Sequence, residues 1–235
     1  MKRSKPYIQD VPDPVRKPQP ILFSGPMIRA ILDGRKTMTR RVMRCQPSED
    51  WIPTHYTEIH KMENGEPNPN KVIGWGPCNS DGDEGYPCPY GQVGDRLWVR
   101  ETHYRFGQWR KDGLTKSRKQ RWIFIGSDDP VAHFSIPETM VPTSRSEIGW
   151  HKRPSIFMPR WASRITLEIT SVRVERLQDI THADVCAEGF KMQGVVKGWD
   201  QVFARSWDAL NAKRKGGIYA WAKNPWVWMI EFKRI

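Results

Sequence analysis

Apolar side chains recur along this chain in short runs whose period switches between two and nearly four, and each switch marks a change of element. A strand is expected at Ile21 to Phe23. Behind it Ser24 stands where a helix cap belongs, Pro26 suits the first turn, and Met27, Ile28, Ile31 and Leu32 have helical spacing until Gly34 ends the helix. In the next run, G-R-K-T-M-T-R-R-V, Thr37, Thr39 and Arg41 fall at period two and share one face of a strand. Gln46 to Tyr90 is rich in Pro, Gly, Asn and Asp with no sustained period, which predicts a long surface insertion.

Alternation returns at Asp95 to Tyr104, with Leu97, Val99 and Glu101 on one side and Arg96, Trp98 and Arg100 on the other. A second insertion over 106–160 contains one further expected strand, Arg121 to Ile125. Arg164 to Val174 alternates through Ile165, Leu167 and Ile169 and then shifts phase to Val172 and Val174, as a bulged strand does. Two helices follow. Thr181 to Glu188 opens with Thr181 and Asp184 spaced as a capping box, and Trp199 to Leu210 aligns Trp199, Val202, Phe203, Trp207 and Leu210 on one face. The closing run sets Trp226, Trp228, Ile230 and Phe232 against Val227 and Met229, so both faces are apolar and the strand is expected to be central. Short strands with few helices and no regular βαβ units predict the α+β class, as a mixed β-barrel with flanking helices.

Composition narrows the functions. Residues 1–20 hold Pro6, Pro12, Pro14, Pro18 and Pro20 among charges and read as a flexible basic tail, leaving 21–235 as a single domain with insertions at about 46–90 and 106–160. A formal charge of +12 favours polyanionic partners, nucleic acid first. No run approaches the roughly 20 apolar residues of a membrane span, and no apolar segment follows the basic start, so a cytoplasmic protein without a membrane partner is expected. Cys45, Cys78, Cys88 and Cys186 are too scattered for a disulfide scaffold and predict free thiols. Four of Cys45, His55, His60, Cys78 and Cys88 are enough to surround zinc, but the usual short pair spacings are missing, and neither a metal nor a cofactor is expected.

From Gly34 to Arg41 the spacing is G-x-K-x-x-x-x-R, directly behind a short helix, and here the chain resembles the ASCH family of the PUA-like superfamily. The resemblance continues through G-D-R-L-W-V at 94–99 and the aromatic strand Trp226 to Phe232. With P-I-L-F-S-G-P-M-I-R-A-I-L-D-G-R-K-T-M-T-R-R and M-P-R-W-A-S-R-I-T-L-E, the longer pattern is similar to the large ASCH-like proteins of temperate phages and prophages. It implies a PUA-like small β-barrel, a cleft beside the signature, and RNA as the usual ligand. Some small ASCH proteins are amidohydrolases that deacylate N4-acetylcytidine with a Lys and a Thr of the signature and a Glu after the long strand. Carried over, Lys36, Thr39 and the closing Arg41 match, and Glu188 in H-A-D-V-C-A-E-G is the best match for the Glu.

In that chemistry Lys36, its proton affinity lowered by Arg40 and Arg41, is the base toward Thr39, whose hydroxyl attacks the acyl carbon. Arg41 steadies the oxyanion and Glu188 carries a proton to the leaving amine. The alternative is a phosphate-binding edge of Lys36, Arg40 and Arg41, with Thr39 an ordinary strand residue and Glu188 facing water.

Arg stands beside Trp at Arg96-Leu97-Trp98, Trp109-Arg110, Arg121-Trp122 and Pro159-Arg160-Trp161, a pairing in which the cation binds phosphate and the indole stacks a base. Arg40, Arg41, Arg96, Trp98, Arg100, Arg160 and Trp161 are therefore candidate ligand contacts, with barrel core as the other reading of Trp98. Glu101 is either a site carboxylate or the partner of a nearby Arg. Three functions remain open: an RNA- or nucleotide-binding protein, a hydrolase of an acylated nucleoside or of RNA, and a phage protein that binds a host protein.

Overall fold

The computed structural model describes residues 17–47, 54–57, 72–76, 88–128, 131–192 and 197–235, with backbone alone at 54–57 and 72–76. In chain order the elements begin β1 (Gln19–Leu22), α1 (Gly25–Leu32), β2 (Met38–Val42), the hairpin β3 (Thr54–Thr57) and β4 (Val72–Gly76), β5 (Arg96–Arg100) and β6 (His103–Leu114). They continue β7 (Gln120–Gly126), β8 (Ala132–His133), β9 (Gly149–Arg153), β10 (Thr166–Arg176), α2 (His182–Ala187), α3 (Trp199–Asn211) and β11 (Trp226–Arg234).

The class is α+β, with the strands in separate sheets. The main sheet has the order β1-β5-β10-β11-β2, antiparallel except for the β1–β5 pair. β11 lies between β10 and β2, as its two apolar faces require. Trp226, Trp228, Ile230 and Phe232 pack with Ile28 and Ile31 of α1 in the larger core, while Val227 joins Leu177, Val185, Phe203 and Trp207 beneath α2 and α3. The phase shift in β10 is a register irregularity between Ile169 and Ser171. Thr181 and Asp184 form the full capping box of α2, and Gly34, at φ +74°, turns the chain out of α1.

Four expectations are corrected. Among the described residues, backbone pairing does not close the sheet into a barrel: β1 and β2 are its edges, and the Arg41 guanidinium spans them by donating to the Leu22 carbonyl at 2.6 Å. The run from Asp95 to Tyr104 is two strands, because the chain breaks at Glu101, whose carboxylate turns inward to Arg164. Much of 106–160 is a second sheet, in which β6 pairs with β7, β8 and β9. Val202 and Leu210 of α3 are exposed rather than packed with Phe203 and Trp207. Ser24 does occupy the N-cap position of α1, without a side-chain capping bond. Residues 1–16 of the expected tail, His60 and Cys78 lie outside the described residues, as does the side chain of His55.

Candidate functional site: a pocket on the edge strand

The pocket grows out of a splice between β2 and the end of α2. Thr37 N–H donates to the Ala187 carbonyl at 2.9 Å, and Lys36 and Glu188 form an isolated antiparallel bridge. The close approach needs Gly189, which has φ +95°; a Cβ there would come within 2.8 Å of the Ala30 Cβ and 3.0 Å of the Lys36 Cβ.

Lys36 is thereby sealed inside. Its Nζ donates to the Met38 carbonyl at 2.8 Å, the Glu188 carbonyl at 3.0 Å and Glu188 Oε2 at 2.5 Å, which uses all three protons of an ammonium. Burial lowers the Lys36 pKa; the Glu188 charge opposes that shift, while Arg41 and Arg40 add to it. Glu188 Oε1 accepts from the Arg40 backbone N–H at 2.6 Å, so both carboxylate oxygens are held. Far from facing water, Glu188 is only 5% exposed.

Neighbours on β2 point in opposite directions. Arg40 is drawn toward α2 and β10, 2.9 Å from Asp184 Oδ2 and 2.5 Å from Glu175 Oε1. Thr39 and Arg41 pair with Ile230 and Trp228 of β11, residues of the larger core. Arg41 lies 5.0 Å from the Phe23 ring centre, and burial lowers its proton affinity. Its Nε–H is buried with no acceptor among the described residues, an omission that costs about 1–3 kcal/mol until something supplies one.

Above this floor lies a pocket of about 600 Å³. Thr39, Arg41 and Glu188 belong to its lining, whereas Lys36 does not. Phe23, Tyr90, Phe190 and Trp207 supply aromatic walls, and the exposed Arg44 and Arg214 add positive charge. Tyr90, Arg44 and Arg214 escape a motif-based reading because they come from three separate segments, and Phe23, inside the family-like run, carries no signal there beyond residue type.

Lys36, Thr39, Arg40, Arg41 and Glu188 are thus brought together, and the remaining candidates stand elsewhere. Arg96 is exposed on β5. Trp98 is buried beneath Arg100 and Arg160, whose guanidinium carbons lie 5.3 and 5.9 Å from its ring, so it packs as core. Arg100 donates to the Ile156 carbonyl. Glu101 is a buried ion-pair partner, held by Arg164 Nε at 2.9 Å and Nη2 at 3.0 Å. Trp161 is exposed and lies under Arg105. Among the described residues, no group of three His, Cys, Asp or Glu gathers as a metal site. No described helix is long and apolar enough to cross a membrane.

The capping carboxylate links the site to pH. Burial alone would raise the Asp184 pKa, but the Thr181 hydrogen bonds and the Arg40 charge outweigh it and hold the carboxyl below its usual range. A depressed folded-state value gives stability that is present at neutral pH and lost as pH falls below about 4. Asp184→Asn is therefore expected to be less stable than the parent at pH 7, by urea unfolding, with the gap narrowing below about pH 4. A gap independent of pH would remove the assignment.

Comparison with protein families, curated proteins and solved structures finds no match to this chain.

Proposed function

We propose that the protein binds RNA or a nucleotide, receiving one nucleoside-sized group in the pocket on β2. The observation that carries this reading is the pocket's chemistry: aromatic walls that accept a base by stacking, a floor of Thr39, Arg41 and Glu188 that offers both donors and acceptors, and Arg44 and Arg214 for a phosphate. The reading agrees with the charge of +12 and with the resemblance to the ASCH family of the PUA-like superfamily, in its phage-type form. A cytoplasmic site of action is part of the proposal.

Calorimetric titration with cytidine and cytidine monophosphate tests it. The monophosphate is expected to bind more tightly, with an advantage that shrinks as salt rises. Ser206→Trp, which fills the pocket from α3 without changing charge, is expected to weaken both by at least about tenfold, since buried contact supplies the affinity. Equal binding by Ser206→Trp and the parent would place the ligand elsewhere.

A second reading is favoured by a specific observation: Thr39 lines the same pocket as Glu188, whose Oε2 accepts from the buried Lys36 at 2.5 Å in a short contact that is a path for a proton. We infer from this an amidohydrolase acting on an acylated nucleoside. Thr39 Oγ1 forms an ester bond to the acyl carbon as the C–N bond breaks, and its proton passes through the Lys36–Glu188 pair to the leaving amine. Water then cleaves the ester and restores Thr39. With Lys36 outside the lining, Glu188 is the member of the pair that meets the substrate. No observation in the fold favours a ribonuclease or a host-protein ligand.

A further inference from the structure

Two Trp residues that neighbour an Arg in the sequence, Trp109 and Trp122, stand outside the pocket, and the second sheet brings them to one face. On β6, Arg105, Trp109 and Lys111 project to the same side. Trp109 stands opposite Phe124 of β7 and Lys111 opposite Trp122, while Arg105 faces His151 of β9.

Rings and cations then alternate across that face. The Arg105 guanidinium lies 5.3 Å from the Trp161 ring centre and 5.7 Å from Phe124. Arg153 is 4.5 Å from both Phe124 and Trp109. Arg145 follows at 6.0 Å from Trp109 and 5.9 Å from Trp122, and the Lys111 ammonium is 5.9 Å from Trp122. Glycines keep the floor low: Gly126, Gly107 and Gly149 lie in a row across β7, β6 and β9. A Cβ on Gly126 would come within 2.6 Å of Arg105 Nη2, and one on Gly107 within 2.8 Å of the Phe124 ring.

The charge on this face is not neutralised by the fold. Among the described residues, Arg105, Lys111, Arg145 and Arg153 make no ion pair, in contrast to Arg121 on the other side of β7, which pairs with Asp112. Arg153 Nη1 is buried without a hydrogen-bond partner. Unpaired cations call for an anion, and ring faces and guanidinium planes are the two surfaces on which bases stack. In a duplex the bases are already stacked on one another, so the combination suits a single strand. From Arg105 to Lys111 the strand runs about 20 Å, a platform of the size that stacks two or three bases.

We propose that this face of the second sheet is a docking surface for single-stranded nucleic acid, separate from the pocket on β2. The two share no residue. Bases lie against Trp109, Trp122 and Trp161, and phosphates meet Lys111 and Arg145, which are exposed.

The test is fluorescence anisotropy of a labelled twelve-nucleotide oligouridylate, with oligodeoxythymidylate of equal length beside it, titrated with the full chain at low salt. Lys111→Glu with Arg145→Glu, both at exposed positions, is expected to weaken binding at least about tenfold, with a shallower salt dependence. Trp122→Ala is expected to weaken it about tenfold through one lost stacking contact. Lys223→Glu, a charge reversal at an exposed residue off this face, is expected to leave it within about twofold. Binding of either oligonucleotide in this pattern supports the surface. Failure of both to bind, an equal loss in Lys223→Glu, or competition by inorganic polyphosphate as effective as unlabelled oligonucleotide would overturn it. Ser206→Trp fills the pocket and Trp122→Ala alters only this face, so failure of one reading is distinguishable from failure of the other.

Discussion

Glu188→Ala is expected to lower the free energy of unfolding by about 3–5 kcal/mol, the range for removing one partner of a buried ion pair. The size follows from what remains. Lys36 would keep two backbone carbonyls but lose the one carboxylate it meets among the described residues, with its side chain fully covered, and the Arg40 backbone N–H would lose its acceptor. Lys36→Met with Glu188→Leu is expected to recover most of the loss, because an apolar pair of similar volume carries no desolvation penalty. Urea unfolding followed by tryptophan fluorescence measures both.

The pH dependence of the single variant separates charge from cavity. Burial lowers the Lys36 pKa even against the Glu188 charge, and without Glu188 it acts alone. A Lys whose folded value lies below its unfolded value is penalised in its charged form, so stability rises with pH as the folded value is passed and the ordinary Lys range near 10.4 is approached. The Glu188→Ala deficit is accordingly expected to shrink in alkaline buffer. A deficit constant with pH, together with no recovery in the double variant, would mean that lost packing and not a stranded charge is responsible.

How much of this was legible in the sequence depends on how local each signal is. The Thr181–Asp184 capping box, the Gly34 turn, the bulge in β10 and the central place of β11 could each be read because spacing or two-faced apolarity within one segment encodes them. Lys36 and Glu188 are 152 residues apart, and no periodicity connects them; only the resemblance to a known family put them on one page. Of the second sheet, β7 is legible as the expected strand Arg121 to Ile125, and the rest is not, for a different reason. Its strand β6 alternates Arg, Gly, Trp and Lys against Tyr, Phe, Gln and Arg, so neither face shows the apolar repeat by which strands are recognised. Across one face of the sheet cations lie over rings, an interaction with no period in the sequence.

The edge of the main sheet ties fold to function in the same way. β1 and β2 do not exchange backbone hydrogen bonds, and the gap between them is spanned by the Arg41 side chain and lined by Phe23. A closed barrel would fill that gap with a ladder. Leaving it open creates the pocket, which Thr39 lines from an edge strand with only 3% of its surface exposed.

Thr39→Ala is expected to abolish deacylation of N4-acetylcytidine, with a fall in turnover on the order of a thousandfold or more, if Thr39 forms the acyl intermediate. Binding of cytidine is expected to stay within about threefold, because removing one hydroxyl from the floor leaves the aromatic walls intact. Thr39→Ser, which keeps the nucleophile, is expected to retain measurable turnover. Release of cytidine and acetate, followed by chromatography and mass spectrometry, provides the readout. Activity should also rise with pH through a value below the ordinary Lys range, since burial favours neutral Lys36 and an unprotonated pair is needed to accept the Thr39 proton. Equal turnover in the parent and Thr39→Ala would assign the chemistry to another group; no turnover in the parent, with cytidine bound in the pocket, would make that pocket a binding site alone.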